Sequence, residues 1–233
     1  MNPDPRTEND DFARARARLI EEIERELIET RAYLKTDHID PRVLDAIARV
    51  PRERFVPPDM RQHAYRNQPL PIGNGQTISQ PYIVAVMSDL LQLPAAGGRV
   101  YELGTGSAYQ AAVLGAMGAE VYSVEIQPEL AARAEALLAE LGFGRVHVRA
   151  GDGYLGWPQA APFDAIIITA AGPEVPQPLV DQLKTGGRLV MPLGPSGGAQ
   201  TLVVLVKQPD GTLAQRELLP VRFVPITRDP IDS

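Results

Sequence analysis

The stretch Arg99-Val-Tyr-Glu-Leu-Gly-Thr-Gly-Ser-Ala-Tyr-Gln110 decides the fold. A β-prone run ends near an acidic residue, Glu102, and passes into Gly104-Thr105-Gly106. An apolar, Ala-rich run of helical character follows from Ala108. Strand, glycine turn and helix N-terminus in that order let backbone N–H groups approach a ligand closely. A dinucleotide fingerprint requires a third glycine where Tyr109 stands, and Tyr109 would obstruct the approach of the helix to a pyrophosphate. Glu102 would repel the same group. The local alternative is a tight turn with no ligand.

Glu125 ends a second β-like run, Glu120-Val-Tyr-Ser-Val124, about twenty residues past the loop. In a doubly wound sheet, an acidic side chain at that place grips ribose hydroxyls. Its alternative is a solvated carboxylate opening the next helix, since Pro128 and Glu129 follow. A third run, Arg145 to Ala150, leads into Gly151-Asp152-Gly153. An Asp between glycines at a strand's carboxyl end can accept from an adenine amino group; equally, it can serve a turn. An acidic Gly-x-Gly loop suits a cationic, phosphate-free nucleoside, S-adenosylmethionine.

The chain has 233 residues and a formal net charge of −6. Length allows one domain with a sizeable core. The negative charge argues against a nonspecific nucleic-acid partner. With no cysteine, disulfides, Cys-rich metal sites and a thiol nucleophile are excluded. His38, His63 and His147 are scattered and make no metal-ligand spacing, so no metal is expected. No apolar run approaches membrane-spanning length, and the N-terminus is acidic and polar, unlike a signal peptide. No membrane partner and a cytoplasmic location are the expectations.

Residues 1–11 are Pro-, Asp- and Asn-rich and read as a disordered tail. Residues 12–95 read as an N-terminal helical and substrate-loop subdomain. A helix runs from Phe12 to about Leu34, with Leu19, Ile20, Ile23, Leu27 and Leu34 near one face. Asp40-Pro41 signals a second helix, as N-cap and first helical residue. Asn67 to Pro81 is a long Gly- and Pro-rich loop of the kind that carries function. Pro81 starts a helix through about Leu91. Residues 96–227 alternate strand and helix, which implies a parallel sheet with helices on both faces. Strands are expected near 99–103, 120–125, 145–150, 163–169 and 187–192. Two more, 199–207 and 213–224 around Asp210-Gly211, form an antiparallel edge hairpin. Residues 228–233 are a tail, and the whole is one integrated domain.

These motifs resemble the protein-L-isoaspartate O-methyltransferases, a family of class I S-adenosylmethionine-dependent methyltransferases. The resemblance covers about Leu19 to Thr227. Its most specific segments are Val50-Pro-Arg-Glu-Arg-Phe-Val-Pro57, Pro69-Leu-Pro-Ile-Gly73 and Gly75-Gln-Thr-Ile-Ser-Gln-Pro-Tyr82. Gly151-Asp-Gly-Tyr154, Pro162-Phe-Asp164 and Val221-Arg-Phe-Val-Pro225 add to them. The resemblance implies a Rossmann-like methyltransferase sheet with an N-terminal helical subdomain over the cofactor. It implies S-adenosylmethionine as donor and isoaspartyl-containing proteins and peptides as partners. The methyl ester formed on the α-carboxyl collapses to a succinimide, which partly reopens to normal aspartate.

By this resemblance Ser79 is the active-site serine. Glu125 is the ribose ligand and Asp152 the adenine-contacting acid. Glu102, Gly104, Thr105, Gly106, Ser107, Ile126 and Gly153 complete the cofactor site, while Thr77, Ile78, Gln80 and Val221 face the substrate. Ala108 departs from the pattern, standing where the family usually has glycine. A methyl group there suits a helix N-terminus and is expected to crowd the cofactor slightly.

A carboxylate acceptor is already ionised near neutral pH, with a pKa of roughly 3.5–4, so methyl transfer needs no general base. Positioning of oxygen and methyl in line supplies the catalysis. Ser79 is expected to aim the carboxylate by a hydrogen bond. Its alternative is a helix cap, which Pro81 weakens by favouring Gln80 in that role. A nucleic-acid amino-methyltransferase would carry an Asn/Asp-Pro-Pro-aromatic motif after the fourth strand, where this chain has Thr169-Ala-Ala-Gly-Pro173. Two rival functions stand beside it: an inactive cofactor-binding scaffold, against which the intact Thr77-Ile-Ser-Gln80 segment argues, and a specialised methylase of one peptide's aspartyl side chain.

Overall fold

In the computed structural model, which describes residues 5–195 and 198–228, the chain opens on a 30-residue helix, α1 (Pro5–Leu34). The helix therefore begins inside the stretch whose composition reads as a disordered tail. Tertiary contacts just beyond that stretch anchor the helix. Phe12 and Ala15 pack against the core, and Arg16 donates to the Ala48 carbonyl (3.0 Å) and the Tyr65 hydroxyl (2.8 Å). Residues 1–4 and 229–233 lie outside the described residues. α2 (Pro41–Arg49) starts as expected, the Asp40 carboxylate accepting from the Arg42 amide at 2.9 Å.

Two short 3-10 turns, Arg52–Arg54 and Pro58–His63, lead into a small hairpin. Its strands are β1 (Leu70–Gly73) and β2 (Gln76–Ile78). From composition this segment reads as loop. Asn74 and Gly75 both take left-handed conformations, φ 50° and 67°, the twist-matched turn that an Asn-Gly pair favours. α3 (Pro81–Leu90) follows.

The quoted stretch folds as β3 (Arg99–Leu103), the glycine turn and α4 (Tyr109–Ala116). Then come β4 (Glu120–Glu125), α5 (Pro128–Glu140), β5 (Val146–Ala150), β6 (Phe163–Ile168), α6 (Gln177–Gln182) and β7 (Leu183–Leu193). β8 (Gln200–Lys207) and β9 (Leu213–Val221) close the chain's regular structure. The sheet has seven strands in the order β5-β4-β3-β6-β7-β8-β9. β3 to β7 pair in parallel, and β8 and β9 add the antiparallel edge hairpin. This is the Rossmann-like methyltransferase arrangement.

Strand residues alternate between two apolar layers, because successive side chains point to opposite faces. Val100, Ala165 and Ile167 join the layer built with α1 to α4, while Tyr101, Ile166 and Ile168 face the other. A strand buried on both faces must be apolar throughout, which is why β6 reads Ala-Ile-Ile-Ile. The first layer runs without a break from Leu19 to Leu219, so helical and sheet parts share one core.

Candidate active site

β3 crosses over to β4 on one side, and β6 lies on its other side. A crevice opens at the carboxyl ends where strand order reverses. The glycine turn lies in it. Gly104 and Gly106 take φ 95° and 53°, where a side chain is strained. A Cβ on Gly104 would stand 2.7 Å from Thr169 Oγ1, whose hydroxyl donates to the Gly104 carbonyl at 2.6 Å. Ala108 also takes a left-handed conformation, φ 69° and ψ 9°. Its methyl group is fully buried in the core and does not line the crevice. The departure from glycine thus strains the backbone instead of crowding a ligand.

The three carboxylates assigned from sequence divide. Glu125 is at the crevice wall. Its Oε2 accepts from the Gly106 amide at 2.7 Å and its Oε1 from the Gln127 amide at 3.1 Å. Glu102 lies behind the loop and does not reach the crevice. It is fully buried, and its Oε2 accepts from Ser123 Oγ (2.6 Å), which is itself 2.6 Å from Thr105 Oγ1. Its Oε1 has no partner among the described residues. Burial pushes the Glu102 carboxyl up to about 8, opposed by the Ser123 hydrogen bond and aided by nearby Glu125. Alternation explains the misplacement: Leu103, one residue on, is the strand residue that faces the crevice.

Asp152 also stays out of the crevice wall, to which Gly153 contributes. Its Oδ1 accepts from the Tyr154 amide at 2.9 Å, and its Oδ2 from Arg228 Nη2 at 2.8 Å. The turn role, open from sequence, is the one observed. Gly104, Thr105, Gly106, Ser107 and Ile126 all line the crevice.

A second cleft adjoins the first. Its wall combines the hairpin, the start of α3 and the segment 219–224. Thr77, Ser79, Thr169 and Val224 line both clefts, so the two meet there. Ser79 is not a cap. Gln80 is the N-cap of α3, without a side-chain cap bond, and Pro81 is its first helical residue. Gln80 and Val221 line the second cleft, whereas Ile78 lines the first. The Gln80 amide is engaged: it donates to Glu26 at 3.0 Å, beside Asn67, which donates to the same carboxylate at 2.7 Å. Burial raises the Glu26 carboxyl above its ordinary value.

Among the wall residues not assigned from sequence are Thr169 and Glu26. Thr169 leaves β6 at the switch point, so the topological rule for open sheets would have found it. Glu26 comes from α1 by tertiary packing and left no signal. The segment after β9 closes over the crevice by pairing with Ala171: the Ala171 amide donates to Val224 O and the Ile226 amide to Ala171 O, both at 2.8 Å.

The crevice wall carries one carboxylate and no Lys, Arg or His among the described residues. That set fits a cationic nucleoside without phosphates and offers no cationic side chain to a pyrophosphate. Among the described residues, no group of three His, Asp or Glu could hold a metal, and no helix is long and apolar enough to cross a membrane.

A sequence model described as "Protein-L-isoaspartate(D-aspartate) O-methyltransferase (PCMT)" matches residues 22–230. A protein-L-isoaspartate O-methyltransferase of Gloeobacter violaceus is 58% identical over 187 residues, covering 80% of this chain and 90% of its own. One from Syntrophobacter fumaroxidans is 49% identical over 219 residues, covering 94% and 88%. A solved structure of a protein-L-isoaspartate O-methyltransferase superposes with TM-score 0.76 at 28% identity, over 89% of this chain and 67% of that one. A Plasmodium falciparum structure, titled a putative member of the same group in complex with S-adenosyl-L-homocysteine, shares the fold with TM-score 0.74 at 22% identity, over 91% and 97%.

Proposed function

The chain belongs to the protein-L-isoaspartate(D-aspartate) O-methyltransferase family, and from its two meeting clefts we propose how it acts. It is an S-adenosylmethionine-dependent enzyme that methylates the free α-carboxyl of L-isoaspartyl residues, the first step of protein repair. The observation that carries the assignment of roles is the junction: Thr77, Ser79, Thr169 and Val224 line both clefts.

Bound in the crevice, S-adenosylmethionine supplies an electrophilic methyl group on a sulfonium. Glu125 faces the ribose hydroxyls while keeping the Gly106 and Gln127 amides. Gly104, Thr105, Gly106, Ser107, Ile126 and Gly153 shape the wall against the nucleoside. Asp152 is engaged by Arg228 and by its turn, outside the crevice wall, so a contact with adenine requires its side chain to turn toward the crevice. Glu102 acts beneath the loop, through Ser123 and Thr105.

In the second cleft the isoaspartyl peptide lies along Thr77, Gln80 and Val221, and Ser79 donates to the acceptor carboxylate. Neither cleft is lined by His or Lys among the described residues, and an ionised carboxylate requires no base. Aligning the acceptor oxygen with the methyl group in a site closed by residues 224–227 is what the protein contributes. Isoaspartyl proteins as partners and a cytoplasmic location are parts of this proposal.

The test is methyl transfer from labelled S-adenosylmethionine to two matched peptides, one with isoaspartate and one with aspartate. They differ by one methylene moved from side chain to backbone. A site that hydrogen-bonds the displaced backbone groups discriminates by several orders of magnitude. Labelling of the isoaspartate peptide alone is expected. Equal labelling would mean a general carboxyl methyltransferase, and preference for the aspartate peptide would mean the specialised relative.

A further inference from the structure

Arg52 is fully buried and makes no salt bridge among the described residues. Burying a guanidinium without an anion is costly, so its remaining partners must hold it. Nε donates to the Ala64 carbonyl at 2.8 Å and Nη2 to the Ser79 carbonyl at 2.7 Å. The guanidinium carbon stands 4.6 Å over the ring of Tyr109. Burial draws the guanidinium down to about 10, opposed by Tyr109, so it remains charged at neutral pH.

These contacts join three segments, two of which line the clefts. Ala64 ends the 3-10 turn before the hairpin. Ser79 is one of the four residues that line both clefts. Tyr109 opens α4 directly after the glycine turn and lines the donor crevice. The Ser79 carbonyl precedes α3, whose first ladder bond runs from the Val84 amide to Gln80 O. The helix therefore does not use the Ser79 carbonyl, and Arg52 is its donor. A planar guanidinium can hold two carbonyls at fixed angles while its face rests on an aromatic ring; an ammonium cannot.

We propose that Arg52 is a positioning residue for methyl transfer: it fixes the backbone of Ser79 relative to the glycine turn, and so sets the distance between acceptor and donor. The proposal rests on the reading that the Ser79 hydroxyl aims the acceptor. Arg52 itself touches neither cleft.

The experiment is a double-mutant cycle with Arg52→Lys and Ser79→Ala, measuring kcat, the KM for S-adenosylmethionine and the KM for an isoaspartyl peptide. Arg52→Lys alone is expected to lower kcat about 10- to 100-fold with both KM values within about threefold, since the loss falls on transition-state alignment. In the Ser79→Ala background the same change is expected to lower kcat less than about threefold, because the group being aimed is gone. Equal losses in both backgrounds would overturn the proposal while leaving Ser79 catalytic. A silent Ser79→Ala would overturn both readings. Circular dichroism checks folding, and Arg52→Gln carries the same expectation if the lysine variant does not fold. Failure of both to fold would assign Arg52 to stability alone.

Discussion

The Glu125 carboxylate receives the Gly106 amide at 2.7 Å, across the gap between the end of β4 and the glycine turn. One side chain thus shapes the loop and lines the crevice. Charge-assisted hydrogen bonds are worth about 1.5–3 kcal/mol each, less when one group shares several. Glu125→Ala is expected to weaken S-adenosylmethionine binding by about tenfold to a hundredfold, and Glu125→Gln by less, since its amide oxygen still accepts. Calorimetric titration checks both. Unchanged affinity in the alanine variant would take Glu125 out of the donor site.

Ser79→Ala separates aiming from structure. A hydrogen bond made chiefly in the transition state is worth roughly 2–4 kcal/mol, or about 30- to 1,000-fold in rate. Loss of kcat in that range is expected, with donor affinity little changed. Because Gln80 and not Ser79 caps α3, the melting temperature should hardly move. Normal turnover in the variant would show that the serine is not catalytic.

Ala108→Gly should stabilise the protein. A left-handed conformation costs an L-residue about 1–2 kcal/mol, and glycine returns roughly 0.4–1 kcal/mol of that through the unfolded chain. The expected net is a rise in melting temperature of about 1–3 °C, using the usual scaling for a chain of this size. Donor affinity should stay the same, because Ala108 does not line the crevice. A lower melting temperature would show that the buried methyl group outweighs the strain.

Glu102 gives stability a pH dependence. Its folded value, about 8, lies above the ordinary 4.5. Between those values the folded state holds a proton that the unfolded state releases, so stability falls as pH rises through the window. Urea unfolding at pH 5.5 and pH 8.5 should show the wild type losing more stability than Glu102→Gln, which cannot ionise. Parallel losses in the two proteins would mean that Glu102 is charged throughout.

Local sequence suffices for the sheet and its glycine turn. Gly104-Thr-Gly106 needs left-handed backbone that only glycine adopts easily, and the Ala-Ile-Ile-Ile run of β6 is legible because a parallel strand buried on both faces is mostly apolar. The family motif placed Ser79, and Pro81 fixed where α3 begins. The turn at Asn74-Gly75 carries a hairpin signal of its own, which the loop-like composition around it masks. Tertiary structure decided which way each carboxylate faced. Glu102, Glu125 and Asp152 all stand at strand ends, yet only Glu125 lines the crevice, because facing depends on strand pleat and on the partner that packing brings to each group. Packing also brought Glu26 from α1 to the second cleft and Arg52 beneath Ser79, at sequence separations of 54 and 27 residues. Such contacts follow from how the core closes, and no local pattern of residues encodes them.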